Sequence, residues 1–245
     1  PTQKIAHALF EDDGIAPLIT MRRKSFQKYM CEFIGTFCLV FFAAGAVMLN
    51  SLIPGIGVIG SGIISGSIIT IVIFTFGQIS GAHVNPALSL AAAWLGKLDW
   101  RLVPGYVISQ MAGSVVAAFS LFYLIGDYGS MGANLPNASL GVTGEIALVI
   151  ELFLSFLLMW VVCGTAYHSR GNMDLAAIPI GVTVGIEVML MGPYAGAAMN
   201  PARAFGPYLA LSDLTHYWIY VVGPIAGMFL GAWVYRLTHV DRKLT

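Results

Sequence analysis

A long stretch without any charged residue constrains this chain more than any other feature of its sequence. No Asp, Glu, Lys or Arg occurs from residue 33 to residue 96. Over the whole chain 58% of the residues are hydrophobic and 10% are charged, whereas soluble domains average about 45–50% and about 25%. A soluble globule of 245 residues could not bury that much apolar surface. The sequence therefore predicts an integral membrane protein and excludes a soluble enzyme.

Six apolar stretches have the length that a membrane-spanning helix needs, about 20 residues. They are Tyr29–Leu49, Val58–Gly77, Val103–Ile125, Ile146–Tyr167, Leu175–Met191 and Tyr217–Leu237. The apolar runs are unbroken, whereas the strands of a membrane barrel alternate lipid-facing and lumen-facing residues. The predicted fold class is an all-α membrane protein with six transmembrane helices.

The basic residues predict the orientation of these helices. All of them except Arg203 fall on one side if both termini are cytoplasmic, as expected for a protein of the cell membrane. They are Lys4, Arg22, Arg23, Lys24, Lys28, Lys97, Arg101, Arg170, Arg236, Arg242 and Lys243. Residues 1–24 are predicted to form a cytoplasmic tail before a membrane domain at 25–245. Because Arg203 breaks the pattern, we expect it to have a function.

The two halves of the chain repeat one motif. Ser80-Gly-Ala-His-Val-Asn-Pro-Ala87 recurs as Ala195-Gly-Ala-Ala-Met-Asn-Pro-Ala202. Around it, Glu32 matches Glu151, and Gln110-Met-Ala-Gly113 matches Pro224-Ile-Ala-Gly227. The repeats, at about 29–125 and 146–237, contain three spans each. Because three is odd, the second repeat is predicted to be inverted in the membrane relative to the first.

Each Asn-Pro-Ala motif is predicted to begin a re-entrant half-helix. Asn is a good N-cap, Pro is favoured at the first helical position, and the apolar segments that follow are too short to cross a bilayer. The six motif residues are Asn85, Pro86, Ala87, Asn200, Pro201 and Ala202. Two half-helices entering from opposite faces would meet near the midplane, where irregular backbone is tolerated only if it lines a water-filled cavity.

This arrangement predicts a conduit for neutral molecules. Each half-helix presents about half a positive elementary charge at its N-terminus, so the pair opposes a cation or an excess proton. The asparagine amides can donate to a passing oxygen. Extended segments before the motifs are expected to offer a row of backbone carbonyl acceptors at Gly81, Ala82, His83, Gly196, Ala197 and Ala198.

These residues resemble the aquaporin (major intrinsic protein) family over about residues 25–240. Two Asn-Pro-Ala motifs on inverted repeats, with Arg directly after the second, make the resemblance specific. It implies a fold of six spans and two half-helices, a pore through each subunit, a homotetramer, and water or small neutral solutes as cargo.

The resemblance also implies a selectivity filter at Ser65, Val188, Ala197 and Arg203. Three small side chains beside the arginine predict a wide opening. This filter is similar to that of the nodulin-26-like branch, which carries glycerol, urea and metalloid acids. Position 204 is Ala, where glycerol channels typically have Asp, so a dedicated glycerol facilitator is less favoured.

Three acidic residues and one histidine lie at predicted membrane depth. Glu32 and Glu151 are similar to the buried glutamates that anchor the re-entrant loops in this family. His83 is interpreted as another loop anchor. The family pattern does not explain Glu187, which is expected either to face another subunit or to polarise the pore mouth.

Two other classes of function remain as alternatives to a channel. An ion-coupled transporter also uses inverted repeats and broken helices, but the paired helix N-termini disfavour coupling cations and neither broken segment contains a carboxylate. An intramembrane enzyme would need a metal cluster or a nucleophile–base pair, and no such spacing occurs. No cofactor, no metal and no nucleic-acid partner is predicted.

Overall fold

The computed structural model describes residues 15–53, 55–168 and 171–239. It contains eight α-helices in this part of the chain, numbered here in chain order. They are α1 (Ile15–Leu52), α2 (Gly57–Ser80), α3 (Pro86–Trp94), α4 (Val103–Ile125), α5 (Gly144–Val162), α6 (Met173–Ala195), α7 (Pro201–Ala210) and α8 (Ile219–Thr238). Six of them, α1, α2, α4, α5, α6 and α8, are long and apolar enough to cross a membrane. The predicted all-α fold with six spans is confirmed.

The first helix begins earlier than the sequence pattern suggested. Helix α1 starts at Ile15, so residues 15–24 of the predicted cytoplasmic tail belong to the same helix as the first span. The basic residues of this segment interrupt the hydropathy pattern but not helix propensity, since Arg and Lys are good helix formers. Lys4, Arg170, Arg242 and Lys243 lie outside the described residues.

The two short helices, α3 and α7, begin as their Asn-Pro sequences predict. The side-chain oxygen of Asn85 accepts from the backbone N–H groups of Ala87 and Leu88, at 2.9 and 3.3 Å. Asn200 caps α7 in the same way, on Ala202 and Arg203, at 2.9 and 3.2 Å. The capping asparagines thus satisfy N–H groups that have no partner within the helix.

Close helix crossings hold each repeat together. Helix α1 packs on α4, and its counterpart α5 packs on α8. At both crossings a glycine is required, because a Cβ on Gly113 would collide with the backbone carbonyl of Phe33, and one on Gly227 with that of Leu152. Small residues let the two backbones approach within the membrane. Of the half-helices, α3 packs against α4 and α8, and α7 packs mainly against α4.

Helix α5 ends in a single π-helical turn, Cys163–Tyr167. The Thr165 hydroxyl donates to the carbonyl oxygen of Val161 at 2.7 Å within this turn. Single π-turns inside or at the end of α-helices occur frequently at functional sites. Here the turn brings Tyr167 to the end of the bundle where α2 ends and α6 begins.

Candidate pore

Two cavities in the bundle share part of their lining. The larger, of about 420 Å³, lies where α1 ends and α2 begins, and we call it the vestibule. The smaller, of about 70 Å³, is lined by both re-entrant loops and reaches Tyr167 and Met173 at the other end of the bundle. We call it the pore cavity. One water needs about 10–15 Å³ of such space, so the pore cavity has room for a short file of waters.

Five residues line both cavities, and we call them the junction. They are Ala43, Ser65, Val188, Ala197 and Arg203. The structure therefore brings together the four positions that the family resemblance implies as a selectivity filter. The sequence analysis missed Ala43, which lies on α1 and belongs to no motif.

Ser65 and Arg203 are the polar members of the junction. The Ser65 hydroxyl forms no hydrogen bond to the described residues, whereas the Ser61 hydroxyl one turn earlier donates to the carbonyl of Gly57 at 3.0 Å. Arg203 is 7% exposed, and its Nη1 donates to the carbonyl oxygen of Gly132 at 2.9 Å. No carboxylate in the described ranges forms an ion pair with Arg203, so its positive charge is not neutralised by contact.

The two Asn-Pro-Ala motifs are joined by reciprocal hydrogen bonds. Asn85 Nδ2 donates to the carbonyl oxygen of Met199 at 2.8 Å, and Asn200 Nδ2 donates to that of Val84 at 2.7 Å. The N-termini of α3 and α7 therefore meet. Each asparagine amide has a second N–H that these bonds do not use. One N–H of each amide can therefore donate to a passing oxygen, as predicted.

The sequence analysis expects extended loops before the two motifs. In the structure these loops are extended only in part. Gly81, Ala82 and Val84 have φ values of +88°, +46° and +43°, and Ala197 and Met199 have values of +49° and +53°. Non-glycine residues rarely adopt this left-handed conformation, and each costs about 1–2 kcal/mol. The interactions described next must hold the backbone in this shape.

Most carbonyls of the predicted row remain free. Gly196 O accepts from Asn134 Nδ2 at 2.7 Å. No hydrogen bond between described residues uses the carbonyl oxygens of the other five, and all five residues line the pore cavity. They are Gly81, Ala82, His83, Ala197 and Ala198.

Glu32 holds the first re-entrant loop and is completely buried. Its Oε1 accepts from the Ser80 hydroxyl at 2.7 Å and from His83 N–H at 3.0 Å. Its Oε2 accepts from Val84 N–H at 2.6 Å and from Gln110 Nε2 at 2.7 Å. Both oxygens of this carboxylate therefore carry two hydrogen bonds.

Glu151 holds the second loop with fewer contacts. Its two oxygens accept one bond each, from Ala198 N–H at 2.8 Å and from Met199 N–H at 2.7 Å. The attraction between Glu151 and Arg203 acts through space, without a hydrogen bond.

Glu187 is enclosed within the subunit. It is 5% exposed, so the idea that it faces another subunit is wrong. Neither carboxyl oxygen has a hydrogen-bond partner among the described residues, and neither pairs with Arg203. An unpaired charge at this depth would cost several kcal/mol. Glu187 is absent from the lining of both cavities.

Two tyrosines that the sequence analysis did not single out brace the loops at equivalent positions of the repeat. The Tyr106 hydroxyl donates to Ser80 O at 2.6 Å, and the Tyr220 hydroxyl donates to Ala195 O at 2.8 Å. Each tyrosine lies four residues before the last repeated motif, at Gln110 or Pro224. Extending the repeat alignment by one helical turn would have found both.

Comparisons with known proteins agree with this geometry. The family model described as "Major intrinsic protein" matches residues 20–235. The chain is 38% identical over 237 residues to "Aquaporin NIP1-1" of Zea mays, covering 96% of this chain and 82% of that one. It is 35% identical over 227 residues to "Nodulin-26" of Glycine max, covering 89% and 80%. The X-ray structure of the aquaglyceroporin from Plasmodium falciparum matches with a TM-score of 0.77 and 22% identity, covering 86% of this chain and 95% of that one.

Six spanning helices around two half-helices that meet N-terminus to N-terminus define a membrane channel of the aquaporin fold. The chain belongs to the major intrinsic protein family. It is a passive channel for water and small solutes, not an enzyme.

Proposed function

We propose that the channel conducts water together with small neutral solutes, such as glycerol, urea or metalloid acids, and excludes ions and protons. The composition of the junction carries this proposal. Ser65, Val188, Ala197 and Ala43 leave space for a solute larger than water. Arg203 and the free Ser65 hydroxyl supply donors that replace part of its lost hydration. The similarity to Nodulin-26 and to Aquaporin NIP1-1 supports this assignment.

Exclusion of charge rests on the two half-helices and on Arg203. The six motif residues Asn85, Pro86, Ala87, Asn200, Pro201 and Ala202 place two helix N-termini at one point. Their dipoles and the guanidinium are all positive towards the pore, so they oppose a cation or an excess proton. A neutral oxygen meets the spare amide N–H groups and the free carbonyls instead.

The proposed topology places the channel domain, residues 25–245, in the cell membrane with both termini in the cytoplasm. Exposed Lys24, Lys97, Arg101 and Arg236 lie at the end of the bundle opposite the vestibule, as the positive-inside pattern requires. On the vestibule side Asp213 is exposed, and hydrogen bonds from Thr215 lower the pKa of its carboxyl group. A homotetramer is proposed from family membership, and chemical cross-linking in membranes would test it.

Stopped-flow light scattering tests the solute range. Proteoliposomes with the purified channel are challenged with glycerol, urea, boric acid and an impermeant sugar at equal osmolarity. Re-swelling after the initial shrinkage is expected for at least one of the first three. Fast shrinkage by water efflux without any re-swelling would contradict the wide filter, and slow shrinkage in every case would contradict conduction itself.

A further inference from the structure

His83 lies in the pore cavity with both ring nitrogens in hydrogen-bond contact. Its Nε2 lies 3.2 Å from the Tyr167 hydroxyl, and its Nδ1 lies 3.1 Å from the Ser89 hydroxyl. Tyr106 packs edge-on against the ring, with 5.4 Å between the centroids. Tyr167 belongs to the π-turn after α5 and lines the same cavity.

The other hydrogen bonds of Ser89 determine which nitrogen carries the proton. The single hydroxyl hydrogen of Ser89 is donated to the carbonyl oxygen of Asn85 at 2.9 Å. One lone pair of the hydroxyl accepts from Gln110 Nε2 at 3.0 Å. The contact with His83 must therefore use the second lone pair of Ser89, so Nδ1 is the donor. In a neutral imidazole Nε2 is then the acceptor, and the Tyr167 O–H donates to it.

Glu32 determines which way the side-chain amide of Gln110 points. Gln110 Nε2 also donates to Glu32 Oε2 at 2.7 Å, and an ionised carboxylate can only accept. The amide nitrogen must therefore face both Glu32 and Ser89. The result is one directed series of hydrogen bonds, from Tyr167 through His83 and Ser89 to the backbone carbonyl of Asn85.

We propose that Tyr167 is a positioning residue that holds His83 in one neutral tautomer at the end of the pore opposite the vestibule and keeps pore water from the lone pair of Nε2. The phenol group occupies the Nε2 lone pair that a proton would otherwise take. Because both nitrogens are hydrogen-bonded to protein groups, neither takes a proton from the water file unless the Tyr167 hydroxyl first turns from donor to acceptor. Water permeability is then independent of pH through the range in which a free imidazole titrates.

The groups around His83 differ in what they contribute. On α1, Glu32 accepts the His83 backbone N–H, and half-buried Lys28 repels a protonated ring. On α4, Tyr106 touches the ring edge but donates to Ser80 instead. On the π-turn, the buried thiol of Cys163 lies in the same turn as Tyr167. Tyr167 is thus the titratable group whose hydrogen bond reaches the Nε2 atom.

Replacing Tyr167 by Phe removes the hydroxyl and keeps the bulk of the ring, so the bore is preserved. Water then becomes the partner of Nε2, and His83 titrates from the pore. We expect the water permeability of Tyr167→Phe to fall by about twofold between about pH 8 and pH 5, where histidine gains its charge. The water permeability of the parent channel and of the control Tyr106→Phe is expected not to change with pH, because Tyr106 does not touch a ring nitrogen of His83.

Solid-state ¹⁵N NMR of histidine-labelled channel in liposomes reads the tautomer directly, with the His83 signal assigned by its loss in His83→Asn. The parent is expected to show protonated Nδ1 and unprotonated Nε2, and Ser89→Ala is expected to move the proton to Nε2. A parent with protonated Nε2, or equal titration of His83 in the parent and in Tyr167→Phe, would overturn the proposal. A folding defect is distinguishable, since it lowers permeability equally at every pH.

Discussion

The hydrogen bonds of the two buried glutamates predict that the repeats respond unequally to the same substitution. In Glu32→Gln one oxygen becomes an NH₂ group. Each oxygen of Glu32 accepts two hydrogen bonds. In either orientation of the glutamine amide, the new NH₂ group therefore faces two N–H or O–H donors and two hydrogen bonds are lost. In Glu151→Gln the new NH₂ group faces only one backbone N–H donor, so one hydrogen bond is lost.

The magnitudes follow from the number of bonds lost. A hydrogen bond to a charged group contributes about 1.5–3 kcal/mol, and a buried donor left without a partner loses that amount. Glu32→Gln is therefore expected to lower the free energy of unfolding by about 3–6 kcal/mol, and Glu151→Gln by about half as much. Glu151→Gln also removes the through-space attraction to Arg203, which increases its loss of stability although no further hydrogen bond is broken.

Both variants would be unfolded in detergent micelles by titration with sodium dodecyl sulfate, and helix content would be followed by circular dichroism. Ser80→Ala supplies the control, because it removes one donor that faces Glu32. Combined with Glu32→Gln, it is expected to cost less than the sum of the two single changes. If Glu151→Gln is as destabilising as Glu32→Gln, the hydrogen-bond count does not govern the stability of the loops.

Three further predictions concern permeation. Ser65→Phe with Val188→His should narrow the junction, so that glycerol flux falls about tenfold or more while much of the water flux remains; unchanged glycerol flux in the same vesicles would show that these residues do not form the constriction. Arg203→Val should speed the decay of a pH gradient across liposomes several-fold, since one fixed positive charge is lost, and equal decay would assign proton exclusion to the helix dipoles alone. Ala43→Leu should reduce glycerol flux more than water flux, whereas Ala46→Leu, at a buried position on the same helix that lines neither cavity, should leave the ratio of the two fluxes unchanged.

The helix starts and the inverted topology could be predicted because their causes are local in sequence. Asn85 and Asn200 cap N–H groups two and three residues away, so the cap can be recognised from a tripeptide. The shape of the preceding loops could not be predicted in this way. Positive φ values at Ala82 and Val84 are unfavourable for those residues, and they persist because Glu32, far away in sequence, accepts N–H groups that this conformation presents.

Ala43 shows a second limit of prediction from sequence. A small residue on an apolar helix has no pattern that separates a pore wall from a helix contact or a lipid-facing position. Its place at the junction depends on how α1 is rotated about its axis, and that rotation is set by packing against α4. The proposed filter positions Ala197 and Arg203, by contrast, lie at fixed distances in sequence from Asn200 of the second motif.

The inverted repeat gives the pore a symmetric backbone, but its side chains make the two ends different. Counting from the paired asparagines, Ser80, His83 and Ser89 correspond to Ala195, Ala198 and Ala204. These three polar side chains of the first loop and its half-helix thus have only alanine counterparts in the second.

The connection between the repeats supplies the missing support. Asn134 donates to Gly196 O, the Tyr208 hydroxyl donates to Asn134 O at 2.8 Å, and Asn137 Nδ2 donates to Pro193 O at 2.8 Å. The same count pairs Arg203 with Leu88, so the fixed positive charge occurs at the vestibule end alone. Because the connection also holds Arg203 through Gly132, changes in this loop act first on the junction. The first re-entrant loop is held by Glu32 and is linked to the second through the paired asparagines. The junction and the His83 end of the pore therefore rely on different anchoring contacts, and the hydrogen bonds between the two motifs connect them.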